Sequence, residues 1–152
     1  MYQDDFYSNE LCRQYALSFS NRVKQSIRAK RKRGGWCGKA PRGYRNIHDN
    51  NDHFKCKIVR DPKYYGRIRR AFRLMLTGEY SVAEIGKIVE MDASFLRRAF
   101  KNPFYAGLNK DVDDPTVLNK GTWEPMITED AFNTIQKMLE SKKKPNGKTS
   151  KR

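Results

Sequence analysis

The sequence predicts an α+β fold, mainly α with small β-hairpins, built on a long N-terminal helix and a helix-turn-helix-like core. Three observations carry that expectation. Leu11, Tyr15, Phe19, Val23 and Ile27 recur every fourth residue, a stripe that winds slowly around one helix over residues 8–33. Two short helical patterns, starting at Val82 and Ser94, lie about three residues apart, the spacing of a helix-turn-helix. Asp49-Asn50-Asn51-Asp52 separates two strand-like runs, 43–47 and 54–59, and supplies the turn of a hairpin.

Each element has local signals. Asp4, Asp5 and Glu10 lie near the start of the first helix and cations crowd its end, in agreement with the helix dipole; Gly34-Gly35 stops it. A single apolar stripe on so long a helix needs a partner, either the domain's own core or a second chain. After the hairpin, Asp61-Pro62 reads as an N-cap followed by a first helical residue. That helix is expected to bury Tyr65, Ile68, Phe72, Met75 and Leu76, to expose Lys63, Arg67, Arg70 and Arg73, and to end at Gly78. Ser81-Val82-Ala83-Glu84 is a capping box opening a helix that presents Val82, Ile85, Ile88 and Val89 inward. The chain yields at Met91-Asp92-Ala93, and a short helix over 94–101 ends before Asn102-Pro103. Strands are expected over 104–110 and 123–127 around a polar 111–119 loop. A last helix begins at Thr128, with Glu129 and Asp130 in its first turn, and buries Phe132, Ile135 and Leu139. The organisation expected is a long helix (1–33), a core domain (34–140) and a basic, disordered tail or linker (141–152), whose composition is too polar to fold alone.

Charge narrows the function. The 152 residues carry 32 Lys and Arg against 17 Asp and Glu, a net charge of +15. Arg22, Lys24, Arg28, Lys30, Arg31, Lys32, Arg33, Lys39, Arg42 and Arg45 fall between Asn21 and Ile47 with no acid among them. A solvated helix face mixes both signs, whereas a one-sign run of this kind neutralises phosphates. No apolar run approaches the roughly 20 residues of a spanning helix, and the N-terminus lacks a signal-peptide layout, so a membrane partner is not expected. Three cysteines, Cys12, Cys37 and Cys56, are an odd, widely spaced set and point to reduced thiols in a cytoplasmic setting.

Chemistry is sparse. His48, His53 and Cys56 are near one another, but no fourth ligand sits at a zinc-like spacing. The two histidines fall in the hairpin, no serine stands beside a candidate base, and no hydrolase, kinase or P-loop signature occurs. The sequence therefore reads as a binder with no cofactor, no metal and no small-molecule substrate. On the helix at 94–101 the faces separate: Phe95, Leu96, Ala99 and Phe100 on one side, Ser94, Arg97, Arg98 and Lys101 on the other. In a major groove, Arg97 and Arg98 could reach guanine edges while Ser94 and Lys101 lie nearer phosphate. Trp36, among glycines and cations, could stack on a sugar or wedge against a groove wall, or pack back onto the core and anchor the loop.

These segments together resemble a known family. Residues 22–45 (RVKQSIRAKRKRGGWCGKAPRGYR) resemble the start of the recombinase domain of large serine recombinases, where a long helix gives way to a G-x-W-x-G…P-x-G-Y arm. Residues 68–89 are similar to that domain's helix, glycine and second-helix pattern. Residues 100–107 (FKNPFYAG) resemble its N-P-x-Y-x-G junction. Residues 121–139 (GTWEPMITEDAFNTIQKML) resemble its later G-x-H-x-P-I segment, with Trp123 where histidine is common.

The resemblance implies a sequence-specific binder of double-stranded DNA at an attachment half-site of a phage integrase or mobile-element recombinase. It also implies that the catalytic serine domain and the zinc ribbon of that family lie outside this chain, so that the chain binds without cutting, needs no zinc and is monomeric in isolation. Three contact zones follow by the same resemblance. Arg28, Lys30, Arg31, Lys32, Arg33, Trp36, Lys39 and Arg42 would follow phosphates and the minor groove; Ser94, Arg97, Arg98 and Lys101 would enter the major groove; Arg67 and Arg70 would meet phosphate. Two other readings compete: a helix-turn-helix transcription regulator, and a basic RNA-binding protein, although the aromatic platform or module motif of RNA readers is absent from the sequence.

Overall fold

A computed structural model describes residues 3–49 and 52–141. Among them are five α-helices and two small antiparallel two-stranded sheets, an α+β fold with a long N-terminal helix. The hairpin-turn residues Asn50 and Asn51 and the tail from 142 onward lie outside the described residues. The chain divides into two compact units. One holds the residues up to Gly38 together with Asn109–Gly121; the other holds Lys39–Leu108 and the residues from Thr122 on.

In the first unit, α1 spans Gln3–Lys32. It ends as the Gly34-Gly35 pair predicts: the Gly34 N–H donates to the Arg31 carbonyl and the Gly35 N–H to the Lys30 carbonyl, both at 2.9 Å. These are the paired bonds of a Schellman turn. The buried Asn109 side chain donates to the Gly35 carbonyl at 3.2 Å and ties the end of α1 to the second segment of the unit. The apolar stripe stays largely uncovered: Leu11 is 70% exposed, Tyr15 75%, Phe19 62% and Ile27 37%.

The second unit begins with a hairpin. Strand β1 (Tyr44–Asp49) pairs with β2 (Asp52–Arg60), Tyr44 opposite Arg60, with an irregularity at His48 and Asp49. The second unit continues with α2 (Tyr65–Thr77), α3 (Val82–Val89), α4 (Ala93–Phe100) and a 3₁₀ turn, Pro103–Ala106. Asp61-Pro62 opens a turn and not the helix, which corrects the sequence reading. The Asp61 side chain accepts the Lys63 N–H and its carbonyl accepts the Tyr65 N–H, so regular helix starts only at Tyr65. The capping box holds: the Ser81 hydroxyl accepts the Glu84 N–H while the Glu84 carboxylate accepts the Ser81 N–H at 2.7 Å.

Ile88 proves exposed, because α3 turns Ile85, Gly86 and Val89 inward towards α2 and α4; Leu76 and Leu139 are only half-buried. The strand expectation also needs correction. The expected 104–110 strand is mostly the 3₁₀ turn followed by a short strand, β3 (Leu108–Lys110), whose partner β4 (Leu118–Lys120) lies in the expected loop. Residues 123–127 form no strand; the Met126 and Ile127 N–H groups both donate to the Tyr105 carbonyl, at 2.8 and 3.2 Å. Helix α5 (Glu129–Ser141) closes the unit and buries Phe132 and Ile135 against α2, α4 and the 3₁₀ turn.

The core of this unit is aromatic. Phe104 stacks on Trp123 at 4.4 Å between centroids, Phe72 meets Phe100 edge-on at 5.1 Å, and Tyr44 meets Phe104 edge-on at 5.2 Å. Each such pair adds about 0.5–1.5 kcal/mol beyond its area burial. The polar ends of these rings are satisfied: Trp123 Nε1 donates to the Phe104 carbonyl at 2.9 Å, the Tyr44 hydroxyl to the Glu124 carbonyl at 2.8 Å and the Tyr105 hydroxyl to the Arg42 carbonyl at 2.8 Å.

Burial pushes both phenols, Tyr44 and Tyr105, above the ordinary tyrosine range. Their folded pKa values therefore exceed the unfolded value of about 10. Stability from keeping them neutral is complete below about pH 10 and falls as pH rises beyond it. Melting temperature measured from pH 7 to 11 should stay level and then drop, and Tyr105→Phe should flatten the drop while costing about 1 kcal/mol at pH 7. Gly86→Ala should cost about 1–3 kcal/mol in denaturant melts, because a Cβ there would meet the Met91 carbonyl oxygen at 2.8 Å.

Candidate nucleic-acid interface

Helix α4 displays its side chains in two sets. Leu96, Ala99 and Phe100 are buried and Phe95 is half-buried, while Ser94, Arg97, Arg98 and Lys101 are exposed. The helix is capped at its start by Asp92, whose carboxylate accepts the Ser94 N–H at 3.1 Å. Three residues, Glu90, Met91 and Asp92, connect it to α3. Glu90 takes the left-handed conformation (φ 54°, ψ 50°), and the Met91 N–H donates back to the Gly86 carbonyl at 2.9 Å. This close return is possible because residue 86 lacks a Cβ. The corner between α3 and α4 is thus a defined, short connection, and it determines which way the exposed set faces. Among the described residues no carboxylate pairs with Arg97, Arg98 or Lys101; Arg98 Nε reaches only the Ser94 carbonyl of its own helix, at 3.4 Å.

The other cations of this unit differ in their surroundings. Arg67 pairs with Glu90 at 3.4 Å, both side chains half-exposed or more, so part of its charge is already answered. Arg70 and Lys39 are exposed. Arg60 is committed to Glu124 and lies over the Tyr65 ring, which anchors the end of β2. Arg42 lies over two rings, Tyr64 at 5.1 Å and Phe95 at 5.0 Å. Tyr64 was not among the expected site residues, Phe95 was assigned to the apolar face, and neither proximity has a local sequence signal.

In the first unit, the basic end of α1 faces acids from far along the chain. Arg28 pairs with Asp113 at 3.0 Å. The Asp111 carboxyl is held below its usual range by the Asp113 N–H and then the Asn119 amide, with the Lys32 charge adding to the effect. Asp114 is likewise held down by the hydroxyl and the N–H of Thr116. Lys32 and Arg33 are exposed, with Arg33 Nε donating to the Ala29 carbonyl at 3.2 Å. Lys30, Arg31 and Trp36 are half-buried, and Arg31 Nε is buried without a hydrogen-bond partner. The run from Asn21 to Ile47 is therefore free of acids in sequence but not in space. Only the acidic string at Asp111, Asp113 and Asp114 could have signalled this, without saying which cations it meets.

Among the described residues no group of three or more His, Cys, Asp or Glu could hold a metal ion, and no helix is long and apolar enough to cross a membrane.

No protein-family model and no curated protein matches the sequence. Among solved structures the chain is similar to a crystal structure of an LSR–DNA complex (LSR, large serine recombinase), with a TM-score of 0.61 and 19% identity. The match covers 78% of this chain and 38% of that one. At this identity the likeness is one of fold.

If Asp113 masks Arg28, Asp113→Asn should delay elution from an immobilised polyanion such as heparin to higher salt, with an unchanged melting temperature. Elution at the wild-type salt concentration would mean that the pair is too well solvated to matter.

Proposed function

We propose that this chain is a DNA-binding domain of the large serine recombinase kind, which recognises an attachment half-site and binds without itself cutting. The observation that carries the reading is the exposed set on α4: Ser94, Arg97, Arg98 and Lys101 stand on the second helix of a helix-turn-helix corner, and no carboxylate among the described residues answers the three cations. A helix held this way can enter the major groove, where an arginine meets guanine O6 and N7 with two parallel hydrogen bonds. The similarity in fold to an LSR–DNA complex supports the same reading, as does the net charge of +15. Lys30, Lys32 and Arg33, with Lys39 and Arg70, are then phosphate contacts, which hold register without reading bases. Arg28 and Arg67 contribute less, since each already faces a carboxylate. In this reading the 1–33 helix, the 34–140 core and the 141–152 tail serve as linker, reader and extension.

The reading is tested by selection from a random duplex library at about 0.15 M salt, followed by a salt titration on the winner and on a structured RNA of equal length. Enrichment of a half-site of about ten base pairs, one helical turn, is expected. Equal binding to every duplex, or a preference for the RNA, would overturn it. On the selected site, Arg97→Ala or Arg98→Ala should lose about 1–3 kcal/mol and relax preference at one position. A loss of the same size on random DNA would reduce both residues to phosphate contacts.

A further inference from the structure

We propose that Arg42, Lys63, Tyr64 and Phe95 form a preorganised clamp for one backbone phosphate of the DNA, next to the exposed face of α4. The inference rests on the DNA-binding reading above and adds to it a defined site on the basic arm.

Four observations converge. The Arg42 guanidinium lies over the Tyr64 ring at 5.1 Å and the Phe95 ring at 5.0 Å, and these rings come from the start of α2 and the first turn of α4. Lys63 Nζ lies 5.2 Å from the same Tyr64 ring, so two cations lie against one aromatic ring. The backbone beneath Arg42 is held. Its carbonyl accepts the Tyr105 hydroxyl at 2.8 Å, and the next residue, Gly43, sits at φ +98° where a Cβ would meet Ile68 at 3.0 Å and Met126 at 3.3 Å. Finally, Arg42 and Lys63 are exposed, and no carboxylate among the described residues pairs with either.

Two like charges against one ring carry some mutual repulsion, and a core contact would not require both. The rings offset part of that repulsion through the negative face of their π-systems. A guanidinium whose plane is supported by rings retains its N–H donors along its edge, and that fork matches a phosphate in a way a lysine does not. Asp61 and Asp92 lie close in sequence to Lys63 and Phe95 and keep their negative charge, but each carboxylate accepts a backbone N–H, from Lys63 and Ser94, and neither pairs with Arg42 or Lys63. Because the side chain loses little freedom on binding, most of the attraction is retained as affinity. A phosphate gripped here would fix how deeply α4 sits in the groove.

The test is equilibrium binding of the whole chain to a mixed-sequence 5′-fluorescein-labelled duplex, read by anisotropy across a salt series, with Arg42→Gln, Arg42→Lys, Lys63→Gln and Tyr64→Leu. Arg42→Gln should weaken binding by about tenfold and lower the log–log salt slope by about one unit, the signature of one lost phosphate contact. Arg42→Lys should restore the slope but not the affinity, since the charge returns without the fork. Lys63→Gln should lower the slope by a further fraction, and Tyr64→Leu should weaken binding several-fold with the slope intact. Melting temperatures within a few degrees of wild type for Arg42→Gln and Arg42→Lys establish that the fold is retained. A wild-type slope and affinity in Arg42→Gln would overturn the clamp while leaving DNA binding by α4 standing. Full recovery of affinity in Arg42→Lys would also overturn it, because a bare charge would then suffice. Failure of the wild-type chain to bind any duplex would remove both readings at once.

Discussion

The second unit depends on the burial of one turn, Pro103–Ala106, and above all on Tyr105. This residue is 1% exposed. Its carbonyl accepts two N–H groups from residues 126 and 127, and its hydroxyl donates to the Arg42 carbonyl. A backbone carbonyl buried without partners would cost about 1–3 kcal/mol, so segments distant in sequence must come to it. Phe104 does the same through its ring and carbonyl, which hold the Trp123 ring and its Nε1–H. The segment after residue 121 thus packs by side-chain stacking and convergent hydrogen bonds instead of a strand ladder. Gln136 of α5 adds a further link by donating to the Phe100 carbonyl.

From this hub the presentation of α4 follows. Phe100 is buried against Phe72, and Leu96 and Ala99 face the same core, so one side of the helix is committed. The other side has no choice but solvent or a partner. The turn before it is narrow because Gly86 allows the Met91 backbone to approach. A non-glycine residue in left-handed conformation, Glu90, completes it; such a conformation costs about 1–2 kcal/mol for a residue with a Cβ and persists because the flanking helices are packed. Rigidity of this kind suits a surface that must match a fixed pattern of donors and acceptors.

Electrostatics in the two units differ in kind. On α4 the cations remain uncompensated among the described residues, whereas the basic end of α1 meets Asp113 and Asp111. Exposed pairs such as Arg28–Asp113 contribute about 0–1 kcal/mol to stability. Their larger effect is on which charges a polyanion would encounter. Net charge alone would treat all of these cations as equivalent; the pairing divides them into open and answered groups.

Much of the fold was legible in the residue order. The capping box at Ser81 and Glu84, the Gly34-Gly35 stop and the Asn102-Pro103 stop follow from hydrogen bonds and φ limits that span only a few residues, and so did the two sides of α4. The sequence did not convey that Asp61-Pro62 opens a turn before helix begins, that residues 123–127 are not a strand, or that Ile88 is exposed. The first was set by local hydrogen bonds to Asp61, and the other two by where Tyr105, Trp123 or a neighbouring helix lay. The candidate site divides in the same way. The sequence by itself determined that Ser94, Arg97, Arg98 and Lys101 share one exposed helical side, because a period of 3.6 residues is a local property. Only the tertiary structure decided that Arg42 rests on Tyr64 and Phe95, and that Arg28 is answered by Asp113, because ring contacts and ion pairs act over a few ångströms of space regardless of the chain length between the partners.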